Sequence, residues 1–149
     1  MATNYKVINK QLEALIEDEN YFIPNLANAS ALLYQGMEEL NWAGFYLMHE
    51  GELVLGPFQG KTACIRIKLG KGVCGTAAQE DRTLVVEDVN QFEGHIACDC
   101  ASNSEIVVPI HKDGKVFGVL DIDSPKIGRF HDEDAKGLEE FVRILETRI

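Results

Sequence analysis

A hairpin signal in the second half of the chain constrains the fold more than any other feature. The segments EIVVPI and KVFGVLDID are rich in β-branched and aromatic residues, and Lys112-Asp113-Gly114 separates them. A short connection that ends in glycine is typical of an antiparallel β-hairpin. We predict a three-residue loop in which Gly114 takes the left-handed conformation and a bulge follows.

The other elements follow from the periodicity of apolar residues and from turn signals. The predicted helices cover 4–18, 24–40, 73–79 and 132–149. The predicted strands cover 42–48, 52–58, 64–67, 83–89, 105–110 and 115–123, with a long loop over 90–104. Tight turns between neighbouring strands favour a mainly antiparallel central sheet. We therefore expect an α+β fold in which the N- and C-terminal helices pack on one face of the sheet.

Length and composition narrow the class of protein. The 149 residues are enough for one domain, which we place at 1–149, and a hydrophobic content of 46% is enough for one core. The formal net charge of −10 disfavours nucleic acid as a partner. No apolar run approaches the roughly 20 residues of a membrane span, and the N-terminus lacks a signal-peptide core. These features predict a cytoplasmic protein without a membrane partner, where disulfides are mostly transient and catalytic.

Three carboxylates are predicted to meet on one face of the hairpin. In the register set by a three-residue loop, His111 pairs with Lys115, and Glu105 lies opposite Asp121. Residues two apart on a strand share a face, so Asp123 joins them. The same face is predicted to carry Val107, Phe117 and Val119. A two-residue loop would place Glu105 on the other face, so the prediction depends on the type of turn.

Carboxylates so close together repel one another, and partial burial strengthens the repulsion. Such a cluster requires a cation, a shared proton or a substrate. Another interpretation is that Asp121 and Asp123 merely end a strand, since DIDSP resembles the exit from one. A calcium site is disfavoured, because the oxygen ligands lack the spacing of a hand motif.

The four cysteines allow several kinds of chemistry. No Cys-x-x-Cys pair is present, which argues against a zinc ribbon or a thioredoxin-type motif. A zinc site would combine His95, Cys98 and Cys100 with a fourth ligand from Cys64 or Cys74. A disulfide scaffold is a further option at this stage.

Redox chemistry suits the surroundings of these cysteines better than a purely structural role. Cys64, at the head of a predicted strand, could serve as a small buried apolar residue. Cys98 lies in a polar loop, where that role fits poorly. Cys74 lies at the start of a predicted helix behind Gly70 and Gly72, where backbone N–H groups favour a thiolate. Redox-active cysteines usually have a second thiol nearby that resolves the oxidised form.

Six motifs along the chain resemble those of the free methionine-R-sulfoxide reductases, a family of stand-alone GAF domains. They are NWAGFYL at 41–47, LGPFQGKTACIRI at 55–67, GKGVCGTAA at 70–78, HIACD at 95–99, SEIVVPI at 104–110 and GVLDIDSP at 118–125. The resemblance covers nearly the whole chain and implies a GAF-like fold. Cys100 departs from the family's pattern and leaves the choice of disulfide partner open.

The resemblance implies a catalytic cycle on cysteine without a cofactor or a metal. The thiolate of Cys98, in the HIACD motif, attacks the sulfur of the sulfoxide and becomes a sulfenic acid as methionine leaves. Cys64, in the TACIRI motif, then forms a disulfide with it, and thioredoxin reduces the disulfide. Cys74 is the alternative resolving residue or a relay.

The resemblance also assigns the groups that bind free methionine R-sulfoxide. Glu105, Asp121 and Asp123 hold the ammonium and the polarised sulfoxide oxygen, which requires one of them to carry a proton. Trp42 and Tyr46 pack against the S-methyl end, with a favourable sulfur–aromatic contact of roughly 0.3–1.5 kcal/mol. Without the resemblance, these two aromatic residues would be interpreted as core packing.

The main alternative is a GAF module that senses a small metabolite and catalyses nothing. The chain shows no output domain or coiled-coil extension, which counts against a sensor. A zinc-stabilised structural domain is the third interpretation. The oligomeric state stays open, with a homodimer as one option.

Overall fold

Six strands form one sheet in the computed structural model, which describes residues 2–94 and 102–149. They are β1 (Trp42–His49), β2 (Glu52–Gly60), β3 (Arg66–Lys68), β4 (Leu84–Val86), β5 (Ser104–Lys112) and β6 (Lys115–Ser124). Their order across the sheet is β3-β2-β1-β6-β5-β4, and each neighbouring pair is antiparallel. The predicted antiparallel sheet is confirmed.

The α-helices of the described residues lie on both faces of this sheet. They are α1 (Tyr5–Ile16), α2 (Phe22–Gly36), α3 (Gly72–Glu80) and α4 (Asp132–Glu146). Buried side chains of α1, α2 and α4 share one core with the sheet, whereas α3 contributes to a second core. The terminal helices therefore pack on one face, as predicted, and α3 covers the other.

Local sequence explains where the helices begin. The Asn4 side chain caps α1 by accepting a hydrogen bond from the backbone N–H of Val7, at 3.2 Å. At α4, Asp134 accepts from the backbone N–H of His131 at 2.8 Å, within a capping box. Acidic residues in the first turn of α4 also favour its positive end. The predicted helices are confirmed, with ends that differ by a few residues.

Two predicted strands differ from those in the structure. The strand predicted over 64–67 starts later, because β3 begins at Arg66 and Cys64 lies in the connection before it. The strand predicted over 83–89 is shorter, because a 3-10 helix follows β4 over Val89–Gln91. The Asp88 side chain starts that turn by accepting a hydrogen bond from the N–H of Asn90 at 3.0 Å. Of the loop predicted over 90–104, residues 95–101 lie outside the described residues.

The turn between β5 and β6 is not the predicted three-residue loop. Lys112 pairs with Lys115, so only Asp113 and Gly114 connect the strands, and both have positive φ (54° and 76°). Positive φ at both central residues is the mark of a type I′ turn. The predicted bulge lies further from the turn, where the register shifts and β6 gains Phe117 as an extra residue.

Each face of the sheet carries its own apolar cluster. The first lies under α1, α2 and α4 and includes Phe45, Ile106 and Leu120. The second lies against α3 and includes Trp42, Tyr46, Cys74, Val107 and Val119. Phe117 packs against the first cluster, so its predicted place beside Val107 and Val119 is wrong; the bulge turns it to the other face.

Among the described helices, none combines the length and the apolar character needed to cross a membrane.

Candidate active site

Three carboxyl side chains meet on the face of the sheet that α3 covers. Glu105 on β5 lies opposite Asp123 on β6, and Asp121 lies opposite Val107. All three are buried, with exposed fractions of 8%, 5% and 9% for Glu105, Asp121 and Asp123. The predicted pairing of Glu105 with Asp121 is therefore wrong by two residues. The three carboxyl groups nevertheless lie on one face, as predicted. The two-residue turn and the bulge at Phe117 each shift the register by one residue, and the two shifts together leave Glu105 on the same face as Asp121 and Asp123.

Cys74 places a thiol against these acids. It is buried on α3, and its Sγ atom lies 3.8 Å from Oε2 of Glu105. The sulfur and one carboxylate oxygen each of Glu105 and Asp121 all lie within 4.8 Å of one another. Within residues 2–94 and 102–149, these are the side chains close enough to share a metal ion.

The environment of Cys74 opposes the thiolate that the sequence predicted. Burial raises the pKa of the Cys74 thiol well above its ordinary value, and repulsion from Asp121 and Glu105 raises it further. The stabilising effect of a helix N-terminus is outweighed by these two effects. Cys74 is therefore held as a neutral thiol.

The same effects raise the pKa of two of the carboxyl groups. Burial raises the pKa of Glu105 well above its ordinary value, and the charge of Asp121 adds to it. Burial likewise raises the pKa of Asp121, with a further contribution from Asp123. Glu105 and Asp121 therefore hold a proton to higher pH than an isolated carboxyl group does.

One oxygen of this cluster has an unused capacity to accept a hydrogen bond. Oδ1 of Asp121 is buried and finds no hydrogen-bond partner among the described residues. A buried acceptor left unsatisfied costs about 1–3 kcal/mol. A ligand that carried a donor to this position would recover that cost.

Aromatic rings lie beside the acids on the neighbouring strand. Trp42 pairs with Asp123 across β1 and β6, and Gly44 pairs with Asp121. The Trp42 and Tyr46 rings stack with centroids 5.8 Å apart, and the Phe58 ring also stacks with Trp42, at 5.1 Å. The structure therefore brings both predicted aromatic residues to the carboxylates.

The sequence interpretation missed Phe58. Gly44 is the signal that could have revealed it, because a Cβ at this position would lie 2.2 Å from Cβ of Phe58. Only glycine permits that approach, which lets Phe58 reach the Trp42 ring. The three rings form an aromatic floor next to the carboxylates (Trp42, Tyr46 and Phe58).

The connection between β2 and β3 is fixed to this aromatic floor. The Tyr46 hydroxyl donates to the carbonyl of Cys64 at 2.9 Å, and Nε1 of Trp42 donates to the carbonyl of Lys61 at 3.1 Å. Cys64 is half-buried and disulfide-bonded. Hydrogen bonds from Trp42 and Tyr46, which lie beside the acids, thus hold the connection that contains the disulfide-bonded Cys64.

The remaining predicted thiol lies outside the described residues. Cys98 belongs to the segment 95–101, together with His95 and Cys100. The predicted pairing of Cys64 with Cys98 and the alternative zinc site therefore both stay predictions.

The fold and the buried polar face define the class of protein. Residues 22–149 match the family model of the GAF domain. The chain is 54% identical over 142 residues to the free methionine-R-sulfoxide reductase of Escherichia coli strain K12, which covers 95% of this chain and 86% of that protein.

Solved structures agree with this assignment. The chain is similar to fRMsr of Staphylococcus aureus in its reduced form, with 57% identity, a TM-score of 0.97 and coverage of 99% of this chain and 96% of that one. A complex of fRMsr of Staphylococcus aureus with substrate gives 56% identity, a TM-score of 0.96 and coverage of 99% and 97%. The chain belongs to the free methionine-R-sulfoxide reductases, a family of enzymes built on the GAF domain. The family predicted from the sequence is confirmed.

Proposed function

We propose that this enzyme reduces free L-methionine R-sulfoxide to L-methionine. The observation that carries the proposal is the group of three buried carboxyl side chains beside the aromatic floor. An ammonium group would offset the repulsion among Glu105, Asp121 and Asp123, and a peptide-bound residue has no such group. The aromatic floor offers an apolar surface for the S-methyl end.

A protonated carboxyl group supplies the donor that the sulfoxide oxygen needs. This oxygen gains negative charge as the sulfur–oxygen bond weakens, so a hydrogen bond to it strengthens along the reaction. Burial raises the pKa of Glu105 and of Asp121, which supports a proton on one of them at higher pH than an exposed carboxyl group would hold it.

The chemical step occurs at Cys98, which we assign from its place in the HIACD motif. Its thiolate attacks the sulfoxide sulfur, the oxygen passes to the cysteine as a sulfenic acid with one proton, and methionine leaves. The substrate sulfur gains two electrons, and the cysteine sulfur loses them. A second thiol then displaces water from the sulfenic acid to form a disulfide, which thioredoxin reduces.

Cys64 is the preferred resolving residue. Its disulfide-bonded state and the hydrogen bond from the Tyr46 hydroxyl to its carbonyl support this role. Cys74 is the alternative, but a thiol that is held neutral is a weak nucleophile. The reaction needs no cofactor, and a cytoplasmic location with thioredoxin as partner belongs to the same proposal.

Single-turnover assays on the reduced protein test the assignment. Cys98→Ser should form no methionine, because it removes the attacking sulfur. Cys64→Ser should form one equivalent of methionine but should lose rapid recycling by thioredoxin. Amino-acid analysis measures the methionine, and mass spectrometry locates the disulfide after one equivalent of substrate.

The substrate panel separates this function from its competitors. We expect turnover of the free R epimer, little of the S epimer and little of a sulfoxide peptide blocked at both ends. Equal activity on the blocked peptide would contradict the role of the carboxylates. Tight binding of methionine sulfoxide without any turnover would indicate a GAF module that senses the metabolite and catalyses nothing. A full single-turnover yield of methionine from Cys98→Ser would mean that another cysteine attacks the substrate, with Cys74 the next candidate.

A further inference from the structure

The stretch of sequence around Cys64 has a charge opposite to that of the whole protein. The chain has 14 basic and 24 acidic residues and a formal net charge of −10. Between Glu52 and Glu80, however, there is no acidic residue, while this stretch contains Lys61, Arg66, Lys68 and Lys71. A local positive surface on an acidic protein attracts a partner of negative charge.

An exposed apolar side chain lies at the centre of this stretch. Ile65 follows Cys64 directly and is 68% exposed, which is the highest exposure of any large hydrophobic residue in the described part of the chain. Its backbone is fixed, because its carbonyl accepts a hydrogen bond from the N–H of Leu55 at 2.9 Å. The side chain is therefore presented to solvent from an ordered backbone.

Basic residues flank Ile65 along the chain, and two of them lie on β3, which is an edge strand of the sheet. Lys61, Arg66 and Lys68 are all exposed. Arg66 forms an ion pair with Glu52 at 2.9 Å, but neither Lys61 nor Lys68 forms an ion pair with a described residue. The charge of these two lysines is thus available to a partner.

We propose that Lys61, Ile65, Arg66 and Lys68 form a docking patch for the dithiol protein that reduces the disulfide at Cys64. The partner is a protein with an apolar surface around its two thiols and acidic residues around that surface. This inference rests on the proposed function, because it assumes that the disulfide at Cys64 is formed and reduced in each cycle.

The position of the docking patch matches what thiol–disulfide exchange requires. One thiolate of the partner attacks Sγ of Cys64, a mixed disulfide forms, and the other cysteine of this chain leaves as a thiolate. The second thiol of the partner then displaces Cys64, and the partner departs as a disulfide with the two electrons transferred. Since the attacking sulfur must approach Cys64 along this surface, residues beside Cys64 contact the partner first.

Turnover with two reductants tests the docking patch. Thioredoxin, kept reduced by its reductase and NADPH, is compared with dithiothreitol, a small dithiol that needs no docking surface. For Ile65→Ser, and for the double variant Lys61→Glu/Lys68→Glu, we expect kcat/KM for thioredoxin to fall about 10-fold, as for residues worth about 1.4 kcal/mol at an interface. Turnover with dithiothreitol should be that of the parent.

Matched variants elsewhere on the surface serve as controls. Ile127→Ser removes another exposed isoleucine (53% exposed), and Lys6→Glu/Lys10→Glu makes the same change of charge on α1. Both should keep the parent's kcat/KM for thioredoxin. Added salt should slow the parent's reaction with thioredoxin and should have little effect on the Lys61→Glu/Lys68→Glu variant.

The outcomes separate this inference from the proposed function. If the parent forms no methionine with dithiothreitol, the proposed function is wrong. If it turns over with dithiothreitol but not with thioredoxin, or if the patch variants match the controls, the docking patch alone is wrong. A loss that is equal with both reductants also contradicts docking, because it places the defect in the chemical step.

Discussion

The two faces of the sheet are built from alternate residues of the same strands and each carries an apolar cluster, but the face beneath α3 also buries three carboxyl groups. On β6, Leu120 points into the apolar cluster beneath the terminal helices, while the next residue, Asp121, joins the carboxyl cluster beneath α3. Both residues are buried to nearly the same extent. Burial by itself therefore does not distinguish a residue that stabilises the fold from one that serves the site.

The difference lies in what burial costs on each face. Burying Leu120 lowers the free energy of the folded protein. Burying Asp121 raises it, because one of its oxygens has no hydrogen-bond partner among the described residues and other acids lie beside it. The packing of the first apolar cluster thus offsets the free-energy cost of burying the carboxyl groups. Mutations at adjacent positions on β6 and its partner strand test this contrast.

The largest effect is expected on stability at the apolar face. Leu120→Ala should lower the free energy of unfolding by about 2–5 kcal/mol, because it leaves a cavity in a packed core. The folded fraction should keep a kcat/KM close to that of the parent. Urea denaturation with steady-state assays checks both quantities, and a stable but inactive Leu120→Ala would break the division between the faces.

The next effect is expected on activity at the acidic face. Asp121→Asn should reduce kcat/KM roughly 10- to 150-fold, since a charged hydrogen bond contributes about 1.5–3 kcal/mol and a decade is about 1.4 kcal/mol. Its melting temperature should be unchanged or higher, because repulsion is relieved. Asp113→Asn, in the exposed turn, is the control and should change neither quantity. Retained activity with a lowered melting temperature would show that Asp121 only ends a strand.

The smallest effect is expected in how stability depends on pH. The pKa of Glu105 and of Asp121 is raised in the folded protein, so the native state binds more protons than the unfolded state above the ordinary carboxyl range. Their favourable contribution is complete below that range and is lost as the pH rises through the raised values. The double variant Glu105→Gln/Asp121→Asn should therefore gain stability over the parent as the pH increases.

Urea midpoints measured from about pH 4 to about pH 9 check this dependence. A difference between parent and double variant that stays constant over this range would mean that the acids titrate normally. A difference of the opposite sign would mean that the cluster stabilises the charged forms.

The sequence predicted most of the fold because hydrophobic periodicity and turn residues are local signals. Helix α4, with its acidic first turn and apolar stripe, is one example. The pairing of Glu105 was harder, because it depends on the sum of two features, the turn at Asp113-Gly114 and the bulge at Phe117. Each feature alone moves Glu105 to the other face, and no local pattern marks the bulge.

The electrostatics of the site could not be predicted from the sequence. The spacing behind Gly70 and Gly72 favours a thiolate at Cys74, yet the groups that oppose it come from β5 and β6, more than thirty positions further along the chain. Desolvation depends on which elements cover a side chain, and that is known only from the tertiary structure. The stacking of Phe58 on Trp42 depends in the same way on the pairing of β1 with β2.

The bulge at Phe117 also determines how freely the hairpin end can change. It lies between the surface turn and the carboxylates, and together with the length of the turn it determines which face of the sheet the carboxylates occupy. A change of turn type that keeps two residues alters only the outer end of the hairpin. Loss of the single residue Phe117 would move Glu105 or both aspartates to the face beneath the terminal helices. For a protein engineer, the hairpin therefore tolerates substitution at its tip and does not tolerate a one-residue deletion in its middle.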